Sequence, residues 1–240
     1  MLPPMHLDPQ LAFQPSLLDD GQSTGIDMDA AFSHLSRIQL DSTSWVDHQP
    51  GWVHGSDRLF ADLVAGAEWN QRSRHMYGRV VAEPRLTSWW RSSSGRPLEP
   101  AVLERMRRLL SERYGVELDS MGLNLYRDGQ DSVAWHGDRI AKHVAEPLVA
   151  IVSVGEPRTF LLRPAPGNDD VPAGGRRSLS FDLGRGDLLV TGGACQRRWQ
   201  HTVPKVAQAG PRISITFRHG LDPRAYPDSS ESGGSGPDPA

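Results

Sequence analysis

The sequence predicts a mainly β protein with flanking helices, an α+β chain whose core is a double-stranded β-helix, or jelly roll. Three observations lead there. From residue 121 onward the chain breaks into short apolar-rich runs separated by turn signals, the pattern of an antiparallel sandwich or barrel. Eight such runs can be counted, the strand number of a jelly roll, whose mouth can hold a small pocket. Upstream lie two stretches with helical periodicity, suited to buttress a sheet. With 240 residues, 38% of them hydrophobic, and no low-complexity break in the middle, one sizeable core is expected.

Taken in order, residues 1–30 mix proline, glycine and aspartate without a sustained period and read as a flexible N-terminal segment. A folded domain is expected over 31–222, with its jelly-roll core at about 121–218. Ser44 to His48 reads as a strand closed by Gln49-Pro50-Gly51, and Ser56 as the cap of a helix carrying Leu59, Phe60, Leu63 and Val64. In the second helix Pro100 stands at the start, Leu103, Met106 and Leu110 share a face, and Gly115 ends it. The eight strands are expected at 121–127, 132–138, 147–154, 158–163, 178–183, 187–191, 198–203 and 211–218, with a tight turn at Gly184–Gly186. Residues 223–240 have the composition of a disordered tail.

Composition narrows the chemistry. A single cysteine, Cys195, allows neither an internal disulfide nor a multi-thiolate metal site, so a metal here must rest on histidine and carboxylate. No run of about 18 apolar residues is present, and MLPPMHLDPQ lacks the basic start and apolar stretch of a secretory signal. No membrane association, no obligate protein partner and a cytoplasmic location are therefore expected. The net charge of −3 conceals a basic middle: residues 51–224 hold 25 basic against 19 acidic side chains, and all but two of the 26 Lys+Arg are arginine. Arginine suits phosphate contacts, although an arginine-rich composition also follows from genomic base composition.

In Val133-Ala134-Trp135-His136-Gly137-Asp138 the histidine and aspartate are two apart, so on a strand they emerge on one face. A third ligand, His201, lies in Arg198-Trp199-Gln200-His201-Thr202-Val203, where a barrel can return it beside the first pair. Two imidazoles and one carboxylate leave positions open on non-haem iron(II) for a bidentate co-substrate and oxygen; zinc prefers a closed tetrahedron. Alone, His-x-Asp is a weak signal. The run Pro211 to Arg218 strengthens it, because Arg212, Ser214, Thr216 and Arg218 alternate with Ile213, Ile215 and Phe217. If the polar face looks into the barrel, two buried guanidinium groups need anionic partners, and a dicarboxylate held bidentately is one. The alternative is an amphipathic edge strand with its arginines in water. Six residues of strand separate the arginines by about 20 Å, so Arg212 is the firmer anchor and Arg218 the one nearer the metal. Trp135 and Trp199 precede the metal histidines and should point away from the metal, into core or between layers. His143 and His219 read as surface or neighbouring residues, not ligands.

These residues resemble the AlkB-type iron(II)/2-oxoglutarate dioxygenases, whose pattern runs Asn-x-Tyr, His-x-Asp, a distant His, then Arg-x5-Arg. Here the parts are Asn124-Leu125-Tyr126, His136-Gly137-Asp138, His201, and Arg212 to Arg218. The resemblance covers about 45–220. It implies that 31–222 is a dioxygenase domain using Fe(II), 2-oxoglutarate and molecular oxygen. His136, Asp138 and His201 would be the catalytic metal ligands, and Asn124, Tyr126, Arg212, Ser214 and Arg218 would line the 2-oxoglutarate site. The implied activity is oxidative demethylation of N-alkylated bases in DNA or RNA, with a flipped base held by aromatic side chains. Trp89 and Trp90 are the candidates, standing in a segment similar to the family's substrate lid; paired tryptophans also serve as core or interface anchors.

Two departures bear on substrate. After Asp138 many members continue with acidic residues that contact the damaged base, whereas this chain has Arg139-Ile140-Ala141, and a tyrosine-rich stretch after the lid is replaced by Arg91 to Arg96. Arg91 and Arg96 could grip phosphates or be solvated loop charges. The departures leave open a protein or small-molecule substrate with the same cofactors, and a non-catalytic β-barrel binding module is the reading from outside enzymology.

Overall fold

The computed structural model describes residues 25–76, 78–138, 140, 143–170 and 178–220. The tail 223–240, residues 1–24 of the expected flexible segment, and Arg139 and Ala141 lie outside the described residues.

The chain opens with β1 (Asp27–Met28), β2 (Ser36–Gln39), β3 (Ser44–Gln49), β4 (Val53–His54) and a helix, α1 (Ser56–Gly66). A hairpin of β5 (Ser73–Met76) and β6 (Arg79–Ala82) leads to β7 (Leu86–Arg91) and α2 (Val102–Tyr114). There follow β8 (Ser120–Tyr126), β9 (Val133–His136), β10 (Val149–Gly155), β11 (Arg158–Pro164), β12 (Leu179–Leu183) and β13 (Asp187–Gly193). One helical turn, α3 (Cys195–Arg198), then precedes β14 (Trp199–Val203) and β15 (Arg212–Arg218). The eight strands from β8 onward are the eight expected ones, each end within two residues of its expected place.

They divide between two sheets, one of seven strands in the order β2-β3-β13-β10-β15-β8-β7 and one of four in the order β12-β11-β14-β9. Strand alternation sorts the large sheet's side chains. Val149, Ile151 and Leu189 meet Phe160, Leu162 and Phe181 of the small sheet and form the interior of the sandwich. The intervening residues Ala150, Val152, Ile213, Ile215 and Phe217 face the other way and join Leu59, Phe60 and Leu63 of α1 and Leu103, Met106 and Leu110 of α2 in a second core. A sheet buried on both faces reads as nearly continuous apolar sequence, as β10 does.

Three expectations are corrected. The ordered domain starts by residue 25, not 31, because β1 pairs with β4, Met28 is buried, and the Asp29 carboxylate accepts hydrogen bonds from the Ala31 and Ser33 amides and from Gln49 Nε2. Gly55, not Ser56, caps α1: its φ of 69° and the Gly25 carbonyl oxygen 2.9 Å from where a Cβ would stand leave room for glycine only. Strand β9 stops at His136, so Asp138 reaches the site from the loop beyond the strand and not by strand alternation. The second helix ends at Gly115 in the left-handed conformation, as expected. The Gly184–Gly186 turn closes with Asp187 N–H donating to the Gly184 carbonyl.

Candidate active site

A cavity of about 370 Å³ opens between the two sheets. Its floor holds the three expected ligands. Antiparallel pairing of β14 with β9 sets His201 directly opposite His136, with ring centroids 4.3 Å apart. One ligand atom from each of His136, Asp138 and His201 lies within 4.8 Å of the others, close enough to share one ion. His136 Nδ1 lies 2.8 Å from the Ala134 carbonyl, which turns Nε2 toward Asp138 Oδ1 at 3.9 Å. A hydrogen bond on one ring nitrogen fixes which nitrogen ligates. Phe160 stacks on His201 at 5.2 Å and 18° and holds its ring plane.

The loop that carries Asp138 is clamped from α3. Gln196 Oε1 accepts the Asp138 amide at 2.8 Å, while Gln196 Nε2 donates to Thr191 Oγ1 on the large sheet. A Cβ at Gly137 would lie 2.3 Å from the Gln196 carbonyl oxygen, so glycine permits this approach. Arg218 Nε donates to Asp138 Oδ2 at 2.7 Å, both groups buried. Burial alone would raise the Asp138 carboxyl, but the Arg218 charge and its hydrogen bond, with the two histidines, hold it well below the usual carboxylate range. Burial pushes His201 down to about 3, helped by His136 and Arg218 and opposed by Asp138. The site therefore presents a neutral imidazole and an ionised carboxylate, the protonation states that ligate a divalent metal.

The expected polar face of β15 looks into this cavity. All seven of its residues are buried, and Arg212, Ser214, Thr216 and Arg218 line the cavity wall. Arg212 is 1% exposed. Its Nη2 donates to Ser153 Oγ at 2.5 Å, while Nε and Nη1 find no hydrogen-bond partner among the described residues. Burial lowers its pKa to about 10 and leaves it charged at neutral pH. A buried cation with two uncommitted donors needs an anion, and a carboxylate fits both N–H groups at once. The residues thus suit iron(II) and a dicarboxylate co-substrate together. Tyr126, opposite Arg212 in the β8 register, has its ring 5.4 Å from the guanidinium carbon. Asn124 stands opposite Ser214, and its Oδ1 accepts from Arg85 Nε at 3.1 Å. Ser214 Oγ is 3.1 Å from Thr216 Oγ1. Both arginines line the same cavity, Arg212 with two donors uncommitted and Arg218 hydrogen-bonded to the Asp138 carboxylate.

The two tryptophans of the lid segment part company. Trp89 lines the cavity, half-buried, with the guanidinium carbons of Arg72 and Arg218 at 5.3 and 5.5 Å from its ring. Trp90 points to the opposite face, packs against the helix-side core and donates Nε1 to the Arg96 carbonyl at 2.7 Å, so its expected place in the site is corrected. Trp199 is buried as expected, with Nε1 donating to Asp41 Oδ2. Trp135 is not core: it is half-buried at the cavity edge, with the Arg163 guanidinium carbon 4.0 Å from its ring centroid. Sequence reasoning missed Arg85, Glu83, Ser153 and Gln196. Ser153 left a signal, as the polar residue in the apolar run Val149 to Val154; Arg85 shares the odd-numbered face of Thr87 and Trp89.

The chain is similar in sequence and fold to known proteins. The sequence pattern of the family described as the 2OG-Fe(II) oxygenase superfamily matches residues 56–218. The chain is 34% identical over 194 residues to the alpha-ketoglutarate-dependent dioxygenase alkB homolog 3 of Homo sapiens, an alignment covering 74% of this chain and 67% of that protein. It is 33% identical over 180 residues to the DNA oxidative demethylase ALKBH2 of Arabidopsis thaliana, covering 62% of this chain and 57% of that one. The solved structure of OsALKBH1 superposes with a TM-score of 0.51 at 15% identity, over 77% of this chain and 99% of that one, a likeness of fold.

Proposed function

The chain belongs to the 2OG-Fe(II) oxygenase superfamily, in its AlkB-type branch, and from that premise we propose that it oxidatively removes alkyl groups from N-alkylated bases in DNA or RNA. As a member it is a dioxygenase that uses iron(II), 2-oxoglutarate and molecular oxygen. The observation that carries the substrate reading is the placement, in one cavity, of the His136, Asp138 and His201 cluster, the uncommitted donors of Arg212, and the indole of Trp89.

In this reading His136, Asp138 and His201 hold the iron. Arg212 takes the distal carboxylate of 2-oxoglutarate through Nε and Nη1, with Tyr126, Asn124 and Ser214 on the same wall. Arg218 keeps Asp138 ionised and fixes the direction of its carboxylate. Bound there, iron(II), 2-oxoglutarate and oxygen would supply the oxidation, one oxygen atom going to the N-alkyl carbon and the other to succinate with loss of carbon dioxide. Where the alkyl group is methyl, the N-hydroxymethyl product loses its hydroxyl proton, its C–N bond breaks with the electron pair returning to the ring nitrogen, and formaldehyde departs, restoring the base. Trp89 offers the flat apolar face on which a base turned out of its stack can rest. The basic middle of the sequence favours a phosphate backbone outside the cavity.

Purified protein with iron(II), ascorbate and 2-oxoglutarate is expected to release formaldehyde from methylated oligonucleotides. No formaldehyde from single- or double-stranded DNA or RNA, together with succinate production stimulated by peptides or metabolites, would overturn the nucleic-acid reading and favour the protein or small-molecule alternative.

A further inference from the structure

The co-substrate wall and the histidines of the metal cluster stand on different sheets: Tyr126 and Arg212 on β8 and β15 of the large one, His136 and His201 on β9 and β14 of the small one. The chain that runs from β8 to β9, residues 127–132, is met by the segment that leaves β14. Val206 N–H donates to the Gly129 carbonyl at 2.9 Å, and a Cβ at Gly129 would stand 2.4 Å from the Val206 carbonyl oxygen, so glycine permits the contact. Into this junction, from the first residue of β11, reaches Arg158, 3% exposed.

Its guanidinium is held by backbone. Nη1 donates to the Asp128 carbonyl at 2.7 Å, and Nη2 donates to the Asp131 carbonyl at 2.9 Å and to the Pro204 carbonyl at 2.8 Å. Carbonyl dipoles solvate a cation without neutralising it. The two carboxylates whose charge reaches it are engaged elsewhere: Asp131 is bridged by Nε and Nη2 of Arg127, and Asp128 Oδ1 accepts the amides of Gln130 and Asp131. Burial lowers the Arg158 pKa, opposed by Tyr126, Asp131 and Asp128, and the guanidinium stays charged at neutral pH. Its carbon lies 5.7 Å from the centroid of the Tyr126 ring, and that of Arg212 lies 5.4 Å from the same ring. Tyr126 and Arg212 line the cavity, whereas Arg158 reaches the ring from outside that lining. The two charges repel each other, and Arg158 is one of the causes that lower the Arg212 pKa. Two interior cations around one ring are relieved by an anion that enters beside them, a dianion more than a monoanion.

Resting on the placement of 2-oxoglutarate at Arg212, we infer that Arg158 is a positioning residue for the co-substrate: across Tyr126 it adds a second fixed positive charge beside the site that takes the distal carboxylate. Its three carbonyl bonds keep the guanidinium where that charge is felt. Arg158 is outside the metal cluster and the cavity lining, so its contribution is to affinity for the dianion and not to the oxidation.

Calorimetric titration of 2-oxoglutarate into the manganese-loaded protein tests this, with Arg158→Met, Arg158→Gln, Arg158→Lys and Arg212→Met beside the wild type and manganese affinity measured separately. Arg158→Met and Arg158→Gln remove the charge and are expected to raise the Kd for 2-oxoglutarate about tenfold, the scale of one fixed interior charge at side-chain distance, with manganese affinity unchanged. Glutamine retains an N–H for a carbonyl and carries the test where methionine prevents folding. Arg158→Lys keeps the charge while giving up the guanidinium fork, and is expected to recover most of the affinity. In turnover the KM for 2-oxoglutarate should follow the Kd, with kcat at saturating co-substrate unchanged. Equal losses in all three Arg158 variants, with manganese affinity falling alongside, would make Arg158 a clamp on the β8–β9 loop only and overturn the inference. So would wild-type affinity in Arg158→Met and Arg158→Gln while Arg212→Met binds weakly, a result that leaves the placement at Arg212 intact. Wild-type affinity in Arg212→Met would remove that placement, and the inference with it.

Discussion

Strands β15 and β7 flank β8 on either side and border the same cavity, yet they build different parts of it. On β15 all seven residues are buried, so each side chain must suit the layer it enters: isoleucine and phenylalanine toward the helices, arginine, serine and threonine toward the cavity. On β7 only Leu86 and Thr87 are buried and the other four residues are half-buried. A strand closed on both faces states its orientation in its composition. A strand at the rim does not, and the register with its neighbour has to decide. The floor of the site is consequently closed on both faces, while the rim keeps its side chains half-exposed, where the proposed substrate would meet them.

That contrast would break first at Asp138. Asp138→Ala removes a metal ligand and strands the buried Arg218 guanidinium without its carboxylate. We expect loss of metal-dependent turnover and a destabilisation of about 3–5 kcal/mol in denaturant melts of the metal-free protein. Adding Arg218→Met should restore much of the stability and none of the activity. If Asp138→Ala alone melts like the wild type, the floor is not the tightly coupled unit described.

Arg212→Met separates binding from folding on the same floor. Arg212 is buried with two donors uncommitted, so replacing it by an apolar side chain of similar length should leave the free protein as stable or more so. The KM for 2-oxoglutarate should rise about 100-fold, the scale of a lost bidentate charged pair, and 2-oxoglutarate should no longer raise the melting temperature of the manganese-loaded protein. An unchanged thermal shift would remove Arg212 from the co-substrate site.

The same contrast explains what the sequence could disclose. The eight core strands and the polar face from Arg212 to Arg218 were legible because period-two alternation in a buried strand admits one arrangement. His201 was legible only as a member of a set, since its place opposite His136 depends on a pairing across 65 residues of chain that no local pattern states. The route of Asp138 was misread because the close approach of the Gln196 carbonyl to Gly137, which ends the strand, is a tertiary contact. Gln196 is thereby testable as a positioning residue: Gln196→Ala should weaken metal affinity about tenfold, as outer partners of ligands commonly do, measured by manganese titration. Gln196→Glu, which keeps an acceptor for the Asp138 amide, should recover part of that loss.

The smallest effects are expected at the rim, and there the paired tryptophans give the finest test. Both are large and apolar, so composition cannot say which faces the cavity. The β8 register can: Trp89 lies opposite Gly122 and Trp90 opposite Met121. A Cβ at Gly122 would stand 3.1 Å from the Trp89 ring, so the glycine makes the bed in which that indole lies, whereas Met121 belongs to the helix-side core with Trp90. Trp89→Ala should therefore raise the KM for a methylated oligonucleotide by about tenfold, the scale of one lost base–aromatic stack, with the KM for 2-oxoglutarate unchanged. Trp90→Ala should do the reverse, leaving the oligonucleotide KM alone and lowering stability by about 1–2 kcal/mol, the share of a half-buried indole. If both variants lose stability and neither moves the oligonucleotide KM, the rim at β7 is packing throughout and Trp89 is no part of the substrate site.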